Sequence, residues 1–463
     1  MKGALEVLAL ALVAFAAATQ LPLTGWNAGA HYALVQSLAD GTPRIDHHLN
    51  QSGDIAYVGG HYYAAKSPGL AVLSLPLYSV VDATDSVPAT RPTPLGPPGA
   101  KGIEERALWQ VNLVVVACFF LLLLLVRVVA NVLLPGTGLP VALMLGLGTM
   151  LLPFATVYFS HVPSALFGFA AFSLLFLARR RSPGVGIAVA GILAGLAVFM
   201  EMTLVVIAAG LGLYAIADTP RVRRASLFGA GFVVGVLPLL AYNWWAFGSP
   251  FENGYSHAVK WLGTSGHDII GANAAGFFGV THPSLDVLRH VLLSERGFFV
   301  LTPITVIALA GLLPLARRGY RHEALLIGGV SLAMFLFNAS YYEPFGGASP
   351  GPRFLTPLLP LLALPLAAAF RAWPWLTLAG ALASAFWMMI ATVGEPILAP
   401  DKAPTAWVAH VVHATDLAQS IFGPGRTAEL AFAVPVAFAI ALGVFFPALV
   451  STRVQTAPKP VIG

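Results

Sequence analysis

Long apolar runs separated by short loops are the feature that most restricts how this chain can fold. Of its 463 residues, 57% are hydrophobic and 10% are charged, whereas soluble domains carry about 25% charged residues. A helix that spans the hydrocarbon core of a membrane needs about 20 mainly apolar residues. The pattern therefore predicts an all-α polytopic membrane protein with about 12 transmembrane helices, near residues 3–22, 106–127, 139–158, 162–178, 184–201, 203–217, 225–247, 298–316, 323–340, 353–370, 374–392 and 429–450.

The basic residues between these segments predict which side of the membrane each loop occupies. With the N-terminus inside, the short inner loops carry Arg127, Arg179, Arg180, Arg181, Arg221, Arg223, Arg224, Arg317, Arg318, Arg321 and Arg371. Cytoplasmic loops are enriched in Lys and Arg. We therefore expect both termini to be cytoplasmic, in a multi-pass protein of the cell (inner) membrane. The first segment also has features of a signal peptide, but we expect it to remain as the first span.

Charge and cysteine content exclude two classes of function. The formal net charge is +5, and the basic residues form short clusters rather than one face, so a nucleic-acid partner is not expected. The single cysteine, Cys118, excludes an internal disulfide and a cysteine-based metal site.

Three predicted outer segments are long, at about 23–105, 248–297 and 393–428. The first contains two stretches, 28–39 and 68–81, that are apolar on one face and too short to span, so we expect interfacial helices there. A proline-rich stretch between 82 and 102 predicts a mobile loop. We divide the chain into a transmembrane catalytic core, 1–392, and a final part, 393–463, with an outer loop, the last span and a cytoplasmic tail.

Polar and aromatic residues are concentrated in the first outer segment. The run from Gly53 to Gly69 reads GDIAYVGGHYYAAKSPG, and every histidine of the chain except His322 falls on the predicted outer side. An apolar scaffold with its acids, bases and cations on one side is typical of a catalyst at the boundary between water and lipid.

Four stretches of the chain carry a resemblance to a known family. They are Asp54 to Gly69; Tyr242-Asn243 with Phe247 to Phe251 and Gly254-Tyr255; Arg296 to Phe299 with Pro303; and Tyr341-Tyr342-Glu343 with Gly346-Gly347, Pro350 to Phe354 and Pro357. With this span pattern the chain resembles the polyprenyl-phosphate-sugar-dependent glycosyltransferases of the GT-C superfold. Within these it is most similar to bacterial relatives of the protein O-mannosyltransferase and lipid A aminoarabinose transferase families.

The resemblance implies a GT-C-like fold and an inverting transfer of sugar from a polyprenyl phosphate to an envelope acceptor (a glycan, a lipid or a protein) on the outer face of the membrane. It does not supply the usual catalytic base. Such families place an Asp-Glu pair just after the first span, where this chain reads Gly25-Trp26-Asn27-Ala28. The base is therefore expected among other acids of the first outer segment.

Asp54 and Asp46 are the candidates for this base. A carboxylate in a loop against the bilayer is partly desolvated, which favours proton transfer near neutral pH. Asp54 precedes the aromatic run and is the preferred candidate. Either residue is also compatible with an aspartate that caps a turn or a helix beside glycine.

Lys66 and Arg353 are the candidates for binding the donor phosphate. Lys66 precedes a predicted interfacial helix, so its ammonium and the free N–H groups of the helix start favour an anion at the same place. Arg353 begins a predicted span, and a guanidinium can hold phosphate with two parallel hydrogen bonds. Both are also compatible with side chains that only reach lipid headgroups.

A third group of residues is predicted to contact the sugar or the acceptor, namely His61, Tyr62, Tyr63, His161 and Glu201. Glu201 is included because a carboxylate at membrane depth is costly and usually functional. Glu252, His257, Glu295 and Glu343 are further acceptor-side candidates, although lone residues of these types are more often simply solvated. A divalent cation could bind where these loops meet, although no ligand spacing requires one.

Two other functions remain open at this point. A polytopic transporter or lipid flippase would place polar groups near the middle of the membrane and use broken helices in repeated halves, whereas here the centres of the spans are nearly free of charge. A non-catalytic membrane scaffold predicts no clustering of Asp54, Lys66 and Arg353.

Overall fold

The computed structural model describes residues 2–83, 105–181, 184–259, 279–399, 402–413 and 417–454. Within these ranges the chain is mostly α-helical, with one two-stranded sheet. In chain order the elements are α1 (Lys2–Ala18), α2 (Trp26–Ala39), β1 (Ile55–Val58), β2 (His61–Ala64), α3 (Gly69–Ala83), α4 (Glu105–Leu133), α5 (Gly138–Gly148), α6 (Leu151–Ala155), α7 (His161–Arg181), α8 (Gly184–Met200), α9 (Val205–Ala215), α10 (Arg221–Phe247), α11 (Leu285–Leu293), α12 (Phe298–Leu301), α13 (Ile304–Ala310), α14 (Leu312–Arg317), α15 (Arg321–Ser340), α16 (Ala363–Ala372), α17 (Pro374–Val393), α18 (Thr405–His413) and α19 (Arg426–Val454).

Each of the twelve predicted segments coincides with one helix or with consecutive helices. In the described chain, seven helices are long and apolar enough to cross a membrane, and the number rises to eight if the pair Leu285–Leu301 and Ile304–Arg317, bent by 94°, counts as one span. The other segments are shorter apolar helices, such as α1 with 17 residues. The all-α class is confirmed, whereas the total of 12 spans stays a prediction.

One helix lies at the centre of the bundle and begins at Arg353. It is a 3-10 helix over Arg353–Leu362 that continues as α16. Nearly all of its residues are buried inside the protein. Pro357 and Pro360 lie in the 3-10 part, where the missing N–H of proline removes the bonds of a regular α-helix. The Arg353 side chain therefore stands at the end of the most buried helix.

The two short helices predicted in the first long segment are present as α2 and α3 and pack against each other. Their place in the membrane interface stays a prediction. They begin and end within two residues of the predicted bounds. Most of the proline-rich stretch, residues 84–102, lies outside the described residues.

The last helix packs along the first one. α19 lies against α1, and the Gln20 amide donates to the Ala428 carbonyl at 3.4 Å. The predicted division of the chain at residue 392 stays a prediction.

Two short strands stand where the sequence was interpreted as a loop. β1 and β2 pair antiparallel, with Ile55 opposite Ala64 and Val58 opposite His61. Gly59 and Gly60 form the connection with φ of 59° and 87°, which is the backbone of a two-residue turn that needs positive φ at both positions. This hairpin sets the spacing of the charged residues on either side of it.

Candidate functional site

Loops at one end of the helix bundle enclose a cavity of about 750 Å³, here called the main cavity. Its wall comes from the start of α2, the hairpin, the 341–354 loop and the segment after α17. It includes Trp26, Asn27, Asp54, Lys66, Phe159, Tyr255, Tyr341, Tyr342, Glu343, Arg353, Phe354, Glu395 and Lys402. Asp54, Lys66 and Arg353, three of the residues singled out in the sequence, thus share one cavity.

The hairpin brings Asp54 and Lys66 together. One step beyond the last strand pair, the Ala65 N–H donates to the Asp54 carbonyl at 3.0 Å. The Lys66 ammonium then lies 2.9 Å from an Asp54 carboxylate oxygen, with the two side chains 5% and 13% exposed. At this burial each charge requires the other as a partner.

Close backbone packing fixes what surrounds Lys66. A Cβ on Gly69 would lie 2.6 Å from the Phe199 carbonyl oxygen, and one on Gly254 would lie 2.7 Å from the Ala64 carbonyl oxygen. The first contact holds the start of α3 against the outer end of α8. The second places the Tyr255 ring over the Lys66 ammonium, 5.4 Å from its centroid.

Arg353 has a guanidinium without an acidic partner. Its buried Nε–H donates to no acceptor among the described residues, and none of the carboxylates described forms an ion pair with it. Phe159 and Phe354 lie beneath it, with ring centroids 6.0 and 5.2 Å from the guanidinium carbon. An unpaired cation that lines a cavity is suited to bind an anion.

Solved structures of similar fold were found, although no family model and no curated protein sequence matches the chain. The ArnT structure from Cupriavidus metallidurans bound to undecaprenyl phosphate matches with a TM-score of 0.50 and 15% identity, over 99% of this chain and 81% of that chain. The apo form of the same protein matches at 0.50 and 16%, over 94% and 75%. The oligosaccharyltransferase AglB from Archaeoglobus fulgidus, in complex with an inhibitory peptide and a dolichol-phosphate, matches at 0.50 and 15%, over 95% and 56%.

The chain has the GT-C fold. The expected fold class is thereby confirmed, and the protein is a multi-pass membrane protein. The chain spans 56% of the length of the archaeal oligosaccharyltransferase and 75 to 81% of the ArnT structures.

His161 and Glu201 form a buried pair behind the main cavity of this GT-C fold. The His161 Nδ1 lies 2.6 Å from a Glu201 carboxylate oxygen, and Thr203 donates to the other oxygen at 3.0 Å. Neither residue of the pair lines the cavity. The His161 ring instead contacts Phe159 and Phe354, which do line it, so the pair supports the cavity wall.

The Asp46 carboxylate is bound to residues of the hairpin. It lies 2.8 Å from the His61 Nδ1 and accepts a 2.7 Å hydrogen bond from the Tyr62 N–H. The Tyr63 ring packs on Phe247, 5.2 Å between centroids. None of Asp46, His61, Tyr62 and Tyr63 lines the main cavity, so the structure separates these four candidates from Asp54, Lys66 and Arg353.

His31 is buried near the charged residues of the site, does not line the main cavity, and was not identified in the sequence. It lies on the buried face of α2, its Nδ1 has no hydrogen-bonding partner among the described residues, and its ring is 6.2 Å from that of Tyr158. Burial, together with the positive charges of Lys66, His161 and Arg353, lowers the pKa of His31 to about 3. A histidine on an otherwise apolar face of α2 was the signal available for it.

The residues described contain no group of three or more His, Cys, Asp or Glu side chains that could hold a metal ion. Whether a divalent cation takes part therefore stays an open prediction.

Proposed function

We propose that this protein is a membrane glycosyltransferase that moves a sugar from a polyprenyl-phosphate donor to an acceptor of the cell envelope. The observation that carries the proposal is that Lys66 and Arg353 line one cavity while Arg353 has no carboxylate partner in the part of the chain that the structure describes. Two proteins with the same fold were solved with polyprenyl-type phosphates, undecaprenyl phosphate in one and dolichol-phosphate in the other.

In this proposal the two cations bind the donor phosphate. The Arg353 guanidinium offers parallel N–H donors, and the Lys66 ammonium adds a point charge from the other side. Both stabilise the negative charge that grows on the phosphate as the bond to the sugar breaks. The Tyr255 and Tyr341 rings lie beside these cations and supply flat faces for a sugar ring.

Asp54 has a defined part in the same proposal. Its carboxylate holds the Lys66 ammonium in the cavity at 2.9 Å, which compensates that buried charge before the donor binds. Of the two bases suggested by the sequence, Asp54 is the one that faces the cavity, whereas Asp46 organises the hairpin. The buried His161–Glu201 pair keeps the aromatic wall in place.

The orientation follows from the distribution of arginines. The main cavity lies at the ends of helices opposite to the arginine clusters at 179–181 and 221–224, so we propose that it opens to the periplasm or exterior and that both termini are cytoplasmic.

The proposed transfer is inverting, as the resemblance implies. The acceptor attacks the anomeric carbon from the side opposite to the phosphate, so the configuration at that carbon is inverted.

Binding of undecaprenyl phosphate tests the donor assignment. Purified protein should be stabilised against heat by undecaprenyl phosphate and not by undecaprenol, which has the same tail without the anion. Arg353→Ala should weaken this binding by about tenfold to hundredfold, because hydrogen bonds to charged groups contribute about 1.5–3 kcal/mol. Arg426→Ala is the matched control, since Arg426 is an exposed outer arginine paired with Glu429.

Transfer itself is tested by mass spectrometry of envelope glycans, glycolipids and proteins from cells with and without the protein. We expect one sugar-modified species to disappear and the lipid-linked donor to accumulate. A transporter or flippase would bind the lipid phosphate yet form no glycosidic bond in a purified, non-vesicular assay. That result, or equal stabilisation by undecaprenol, would overturn the proposal.

A further inference from the structure

A second, smaller cavity lies directly beside the main one and is here called the side cavity. It has a volume of about 460 Å³ and shares Tyr342, Glu343, Gly347 and Lys402 with the main cavity. These shared residues form a common wall. A group on this wall faces both spaces at once, which is the position that a reaction between a donor and an acceptor requires.

Glu343 is the acid on this wall that is free to accept a proton. Its carboxylate forms no ion pair or hydrogen bond with any residue of the described chain. The other acids of the main cavity form ion pairs. An Asp54 carboxylate oxygen lies 2.9 Å from the Lys66 ammonium, and a Glu395 carboxylate oxygen lies 3.0 Å from the Lys402 ammonium.

Two consecutive glycines place this acid next to the phosphate-binding arginine. The Arg353 side chain lies against Gly346, and a Glu343 carboxylate oxygen lies 3.1 Å from where a Cβ of Gly347 would stand. The carboxylate and the guanidinium thus pack against consecutive residues of one turn, and both line the main cavity. The turn therefore presents a base to the same cavity as the cation that holds the leaving anion.

The chemistry of the side cavity is suited to a carbohydrate. Phe345, Tyr342 and His290 provide ring faces, and Glu295 and Glu343 provide carboxylates that accept hydrogen bonds from hydroxyl groups. Arg296 also lines it, but its Nη2 donates to the carbonyls of Ser349 at 2.8 Å and Leu398 at 3.2 Å. That arginine therefore fixes the wall.

Asn27 is a polar residue of the main cavity that cannot serve as the base. Its side-chain oxygen is buried and has no hydrogen-bonding partner among the described residues. An amide does not accept a proton at neutral pH. The proton of the acceptor must therefore be taken up elsewhere on the cavity wall.

We propose that the side cavity binds a carbohydrate acceptor and that Glu343 is the general base that takes the proton from its hydroxyl group. This assignment rests on the proposed glycosyl transfer. The acceptor oxygen forms a bond to the anomeric carbon while the bond from that carbon to the phosphate oxygen breaks. The electron pair leaves with the lipid phosphate, which Arg353 and Lys66 hold, and the hydroxyl proton moves to the Glu343 carboxylate and then to water.

Glu343→Gln keeps the shape of the side chain and removes the base. We expect the variant to bind undecaprenyl phosphate as the wild type does and to elute at the same volume in size-exclusion chromatography in detergent. Its rate of sugar transfer should be lower by about 10²- to 10⁴-fold, the usual contribution of a general base. The matched control is Asp40→Asn, the same carboxylate-to-amide change at an exposed outer residue that lines neither cavity.

Each variant is expressed as the only copy of the protein in host cells. Mass spectrometry then measures the amounts of the glycan product and of the lipid-linked donor in these cells. Loss of the product with Glu343→Gln, and its full amount with Asp40→Asn, supports the assignment. Transfer by Glu343→Gln within twofold of wild type overturns the role of Glu343. A product attached to a protein side chain overturns the carbohydrate acceptor. Absence of any product in wild-type cells overturns the proposed function instead, so the two failures are distinguishable.

A second variant separates catalysis from acceptor binding. Phe345→Ala removes a ring face from the side cavity, and we expect it to raise the acceptor KM with a smaller effect on kcat. Glu343→Gln is expected to lower kcat with little effect on donor binding. If both variants change only the amount of folded protein, the side cavity is structural and the assignment is wrong.

Discussion

Gly346 leaves open the space through which the Arg353 side chain passes. A Cβ at position 346 would overlap the Nε, Cδ and Cγ atoms of Arg353, and Gly346 also has a φ of +76°. The glycine therefore meets two requirements at once: a left-handed backbone and room for the arginine. The Gly346-Gly347 pair, which had been singled out only as part of a sequence resemblance, has a physical function in placing the cation.

Gly346→Ala should displace Arg353 and weaken the binding of undecaprenyl phosphate by at least tenfold. The control is Gly248→Ala, because Gly248 has a φ of +77° and nothing within 4 Å of its Cβ position. Both variants bear the same backbone strain, about 1 kcal/mol or more. Equal effects of the two on lipid-phosphate binding, measured by thermal shift, would show that strain rather than the overlap with Arg353 is responsible.

The Asp54–Lys66 pair should behave as a buried ion pair in a double-mutant cycle. Asp54→Asn or Lys66→Met alone should destabilise the protein by about 3–5 kcal/mol, because each leaves an uncompensated buried charge or donor. The double variant should be less destabilised than the sum of the two. Unfolding in detergent followed by denaturant titration measures the coupling, and simple additivity would contradict a direct pair.

Asp46→Asn should leave binding of undecaprenyl phosphate unchanged and lower the stability of the hairpin. The Asp46 carboxylate bonds to the His61 ring and to the Tyr62 N–H, and neither contact reaches the main cavity. Loss of hydrogen-exchange protection at residues 55–64, without loss of sugar transfer, is the expected pattern. Abolished transfer in a variant with a protected hairpin would return Asp46 to the list of bases.

His31 should make the protein less stable at acid pH. Its folded pKa is about 3, against 6.5 for an ordinary histidine, because of burial first and then the charges of Lys66, His161 and Arg353, with Asp54 opposing them. Between these values the unfolded state binds more protons, so stability falls as pH decreases from 6.5 toward 3. From pH 7 to pH 5 the loss is about 2 kcal/mol.

Comparing wild type with His31→Gln at several pH values isolates this contribution. The variant lacks the titrating ring, so its melting temperature should fall less between pH 7 and pH 5 than that of the wild type. Parallel pH profiles of the two proteins would show that His31 is not held neutral.

The sequence was sufficient to locate the helices, since a run of about 20 apolar residues has few alternatives in a membrane protein. It was also sufficient to bring Lys66 and Arg353 to one side. It did not reveal the hairpin, because the polar, aromatic run from Gly53 to Gly69 was interpreted as part of a long loop. The Gly59-Gly60 pair between two short runs was a hairpin signal that was not used.

Residue roles were harder to predict than positions. Asp46 and Asp54 look alike in sequence, because each is an acid in the same polar segment. Only the structure shows that the Asp46 carboxylate contacts the hairpin while Asp54 lines the main cavity. His31 was not selected as a candidate because its neighbours on α2 are mostly apolar. The wall between the two cavities joins residues 342, 343 and 347 to residue 402, and contacts over such distances along the chain leave no periodic pattern.

The tight turn at Gly59-Gly60 has a consequence for biogenesis. Asp54 and Lys66 are joined by a short local loop, and contacts of this kind form rapidly without help from distant parts of the chain. Each charge can thus meet its counterion once residues 54–66 have been synthesised, well before synthesis reaches the tenth predicted span. Arg353 arrives hundreds of residues later, so completing the anion-binding site is a late event of assembly, at a stage when its lysine is already in position.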